Sequence, residues 1–84
     1  MPTYNQFINL LNAVPDGGVS LTYTNRDTDL EIMVRKAVPE YGDDERCLFI
    51  ITCGEFFAPE VRDFLCENNF TFYHPSSIKF LFLH

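Results

Sequence analysis

The stretch TDLEIMVRKAV, residues 28–38, reads two ways, and the fold turns on which reading holds. As a strand, Leu30, Ile32 and Val34 alternate with Glu31, Met33 and Arg35. As a helix, Leu30, Met33, Val34, Ala37 and Val38 form one apolar face. The helical reading has more local support. Thr28 and Glu31 stand at capping-box spacing, Glu31 and Arg35 make a favourable i,i+4 pair, and Pro39 ends the run. A helix is therefore expected here, with a hairpin strand as the alternative.

On the N-terminal side, Thr3 and Gln6 form another capping box, and Phe7, Leu10, Leu11 and Val14 follow at i, i+3, i+4 and i+7, which predicts a helix over 4–13. The turn chemistry of PDGG, residues 15–18, stops it, and VSLTYT alternates as a half-buried strand. On the C-terminal side, CLFIITC at 47–53 is apolar on both faces, as a strand covered on both sides would be. Pro59 suits the start of a helix that buries Phe57, Val61, Phe64 and Leu65 and runs to about Glu67. FTFY and IKFLFL then form a hairpin around HPSS. The order αβαβαββ, with a 16-residue connection between 47–53 and 70–73, predicts one α/β domain over residues 1–84. Its sheet is expected to be mixed and four-stranded, with helices on both faces. If 28–38 is a strand instead, the domain becomes a two-layer α+β sheet with one under-covered face, which a dimer is expected to bury.

Composition narrows the function classes. Twelve acids against six bases give a formal charge of −6 in 84 residues, and the bases are scattered, so direct nucleic-acid binding, which needs a basic stripe, is not expected. No apolar run approaches the roughly 18 residues of a spanning helix, and the opening residues lack a basic signal-peptide region. With three cysteines that cannot all pair, a soluble protein of the reducing cytosol is expected. Cys47 and Cys53 on one strand lie about 20 Å apart at roughly 3.3 Å per residue, which excludes a disulfide or shared metal between them. No phosphate-cradling loop and no EF-hand pattern occurs, so no cofactor or metal is expected.

The best catalytic pattern is Cys53 with His74. Were 47–53 and 70–73 parallel neighbours, both residues would stand at strand C-terminal ends, where open α/β sheets place ligands. His74 could then act as base and Glu55 as the orienting group. The plainer account is a small buried apolar side chain and a surface histidine before a proline. The element order around FIITCGEFFAPEVRDFLCENNFTFYHP resembles the thioredoxin and glutaredoxin fold, and the resemblance implies thiol redox chemistry at a Cys-x-x-Cys pair. That family carries Cys-x-x-Cys after its first strand. Here the corresponding TNRDTD has no cysteine, and Cys53 has no second thiol two residues on.

The acidic pattern suggests a different function. Glu60, Asp63 and Glu67 fall on one helix face at i, i+3 and i+7, and Asp43, Asp44, Glu45 and Glu55 add to it. Solvation alone is the plainer account of these charges. Phe56 and Phe57 are adjacent: both rings packing inward is the first expectation, and one exposed ring with an acidic rim is the alternative. The leading functional expectation is a small non-enzymatic protein-binding module that docks Glu55, Phe56, Glu60, Asp63, Glu67, Asp43, Asp44 and Glu45 on a basic, nucleic-acid-binding protein. A virus-encoded inhibitor that occupies such a partner's nucleic-acid groove suits the size and charge. The alternatives are a thiol enzyme and a structural subunit that pairs with its own copy through the C-terminal strand.

Overall fold

The computed structural model describes residues 1–37 and 47–84. Two helices lie on one face of a five-stranded, fully antiparallel sheet. Helix α1 spans Tyr4–Ala13. Its capping box forms, with the Gln6 amide donating to Thr3 Oγ1 at 3.2 Å and the Thr3 amide donating to Gln6 Oε1 at 2.9 Å. Strands β1 (Leu21–Asn25), β2 (Leu30–Ala37) and β3 (Leu48–Cys53) form a meander. A 3₁₀ turn, Glu55–Phe57, leads into α2 (Ala58–Glu67), and the hairpin of β4 (Phe72–Ser76) and β5 (Lys79–Leu83) completes the sheet in the order β1-β2-β3-β5-β4.

Residues 30–37 are a strand, and the helix expected over 28–38 is overturned. Burial decides between the readings. Ile32, which the helix would turn to solvent, is fully buried, while Met33, which the helix would bury, is 41% exposed. Local helix signals lose because Leu30, Ile32 and Val34 pair in register with Asn25, Tyr23 and Leu21, and Ile32 and Val34 also with Cys53 and Ile51. The turn contributes as well. The Asp27 amide donates to Asn25 Oδ1 at 3.0 Å, and Asp29 adopts a left-handed φ of 59°, which a helical first turn cannot contain. The architecture is thus the two-layer α+β alternative, with five strands rather than a mixed four. The expected end of that helix at Val38 and Pro39, and the loop bearing Asp43, Asp44 and Glu45, lie outside the described residues.

The connection through α2 does cross over, but it skips a place. β3 and β4 run the same way, and β5 returns between them as in a split β-α-β unit. The thioredoxin-like order, which needs a helix between the first strand and 47–53, is not formed because Leu30–Ala37 is a strand between them. Both helices cover the face bearing Phe49, Ile51, Cys53, Phe80 and Phe82. There Phe7 of α1 meets Phe64, Phe70 and Phe82 at ring-centroid distances of 5.1, 5.5 and 5.9 Å, the first two edge-on. The opposite face, expected to carry a helix, has none among the described residues.

Candidate protein-binding site

Gly54 leaves β3 extended, and the 3₁₀ turn that follows sets the two aromatic side chains on different sides. Phe57 turns in against the core. Phe56 is 87% exposed and stands edge-on to Phe57 at 5.1 Å. The expectation that both rings pack inward is corrected at Phe56. A turn of three residues has no single face on which two neighbouring side chains can both point inward.

Pro59, near the start of α2, continues the rim that Phe56 begins. Helical spacing then lines up Glu60, Asp63 and Glu67 beside it, while Val61, Phe64 and Leu65 face the core. The result is an open groove of about 500 Å³ lined by Met1, Phe56, Pro59, Glu60, Asp63, Phe64 and Glu67. The N-terminal ammonium of Met1 donates to Glu60 Oε1 at 3.1 Å. Arg62 lies 3.5 Å from Asp63 Oδ1, and both side chains are more than half exposed, so that pair is weak. Four of the eight residues read from the sequence are thereby gathered on one surface. Glu55 instead accepts from Ser77 Oγ at 3.1 Å, and Asp43, Asp44 and Glu45 fall outside the described residues. Met1, Pro59 and Phe64 are the additions. Pro59 and Phe64 follow from the helix register, whereas Met1 reaches the groove through a contact 59 residues away in sequence, for which no local signal exists.

The thiol pattern is not assembled. β5 separates the strands of Cys53 and His74, a gap of two strand spacings, about 10 Å. The His74 ring stacks on Phe80 at 4.2 Å. Cys53 is buried, and desolvation pushes its pKa up, which lowers the thiolate fraction at neutral pH. Cys66 is exposed and Cys47 intermediate. Alkylation of the folded protein at neutral pH is therefore expected to label Cys66 first and Cys53 last, read by mass spectrometry of the peptides over time. Cys53 labelling first would contradict this burial.

Among the described residues no group of three His, Cys, Asp or Glu could hold a metal ion, and no helix is long and apolar enough to cross a membrane. In comparisons with protein families, curated proteins and solved structures, nothing matches the chain.

Proposed function

We propose that this chain is a protein-binding module that docks the Phe56 ring and the carboxylates of Glu60, Asp63 and Glu67 on a basic partner. The carrying observation is Phe56, a large ring left 87% exposed at the rim of a groove whose wall is acidic. Leaving such a ring in water forfeits the burial energy that a small domain depends on, and a partner's surface recovers it. The chemistry selects arginine. A guanidinium can stack on the Phe56 face while donating paired hydrogen bonds to a neighbouring carboxylate. Arg-rich nucleic-acid-binding proteins carry such groups in their grooves, and an inhibitor, including one made by a virus, would work by occupying that groove. The three free cysteines suit a reducing compartment such as the cytosol.

The test is titration of an arginine-rich peptide, with a glutamate-rich peptide as control, at low and physiological salt. Binding of the arginine peptide alone, weakening as salt rises, is expected. Phe56→Ala and the double variant Asp63→Asn/Glu67→Gln should each weaken it by about tenfold or more. No binding at low salt, or variants that bind as the parent does, would sink the proposal.

A further inference from the structure

At the end of α2 away from Phe56, a second cavity of about 370 Å³ opens between the start of α1, the end of α2 and the end of β5. Its walls are aromatic. The Phe70 ring lies 5.7 Å from that of His84, tilted by 53°, and 6.3 Å from that of Tyr4, tilted by 40°. Three rings thus form a cup with Phe70 at its centre. Asn68, Asn69 and Thr71 add neutral amide and hydroxyl groups to the lining.

Local structure holds each ring in place. At the close of α2 the Asn69 amide donates to the Cys66 carbonyl at 3.2 Å and the Phe70 amide to the Leu65 carbonyl at 2.9 Å, with Asn69 at a left-handed φ of 62°. That reversal brings Phe70 back onto Phe7 and Phe82. Tyr4 opens the capped helix α1, and His84 exchanges both backbone hydrogen bonds with Cys47, at 2.8 and 3.0 Å. The cup is therefore preorganised, which spares a ligand the cost of assembling it.

We propose that this cup binds a methylated ammonium group. Charge and shape both select such a ligand. Aromatic faces are negative and attract a cation, most of all one that water solvates weakly. No lysine or arginine lines the cavity, and the net charge of −6 disfavours an anion. The start of α1 and the end of α2 meet here with opposite dipoles, so neither decides the sign of the ligand. Walls inclined at 40° and 53° to the Phe70 ring close around a rounded group, whereas a flat heterocycle is sandwiched by parallel walls. The volume is at the low end of small-molecule sites, which span about 300–1,000 Å³, and so fits a head group rather than a larger molecule.

Titration of choline, followed by NMR of the aromatic side chains, tests the proposal, with the uncharged isostere in which carbon replaces the nitrogen as control. Choline should shift the Tyr4, Phe70 and His84 ring signals saturably at millimolar concentration, and the isostere should not. Tyr4→Ala and His84→Ala, both at exposed positions, should each weaken binding about fivefold or more, with circular dichroism unchanged. Phe56→Ala should leave it as it is. An acetylated trimethyllysine amide is titrated alongside: tighter binding than choline's assigns the ammonium to a modified protein side chain, and weaker binding assigns it to a small solute. No saturable shift with either ammonium compound overturns the proposal. Equal binding of the isostere overturns it too, by reducing the cup to an apolar hole, and so does binding lost in Phe56→Ala but kept in Tyr4→Ala, which moves the ligand to the groove.

Discussion

Phe7→Ala is expected to remove a large part of the stability of this protein. Phe7 is fully buried where α1 crosses the sheet, and it meets three other rings, Phe64, Phe70 and Phe82. Truncating such a side chain costs about 3–5 kcal/mol through lost transfer energy and the cavity left behind. A domain of 84 residues holds only about 4–13 kcal/mol in all, at roughly 0.05–0.15 kcal/mol per residue. Urea denaturation should show a midpoint lowered by about a quarter or more, or a chain already unfolded in buffer. Phe7→Leu keeps most of the volume and loses the edge-on ring contacts, so its cost should stay below about 2 kcal/mol. Equal, small effects from both substitutions would mean that α1 is not anchored at this point.

The second large effect separates two neighbouring residues. Ile32→Ala should cost about 2–5 kcal/mol, because Ile32 is fully buried between Tyr23 and Cys53 on the helix-covered face. Met33→Ala, one residue along and 41% exposed, should change monomer stability by no more than about 0.5 kcal/mol. Both are measured by urea denaturation of the dilute protein. Were residues 30–37 helical, the order would reverse. The pair therefore tests the strand assignment directly, by a signal that alternates with period two rather than 3.6.

That pair also marks where the sequence was ambiguous and why. Helix α1 was legible because its signals are local: a capping box, four apolar residues at helical spacing and a turn after them. Its observed span is Tyr4–Ala13, and α2 and β3 likewise fall close to their expected places. Over 28–38 the local signals pointed the wrong way, since Thr28, Glu31 and Arg35 would serve a helix well. What decides the matter is cross-strand pairing with residues up to 21 positions away, such as Ile32 with Cys53. The same distinction governs the site. Glu60, Asp63 and Glu67 lie on one helix, so their alignment could be read from spacing alone. The proposed meeting of Cys53 with His74 depended on which strands are neighbours, and the insertion of β5 between them is a property of the whole sheet.

The insertion of β5 has a consequence for how this chain is made. Synthesis delivers residues in order, so α1, the meander, α2 and β4 all leave the ribosome before the strand that joins the two halves of the sheet. Until Lys79–Leu83 emerges, β3 keeps an open edge beside Phe49 and Ile51, and β4 has no strand to pair with. Open edges of that kind invite pairing with other chains. Until β5 arrives the two halves of the sheet stay unjoined, so closure is a late step that spans both at once.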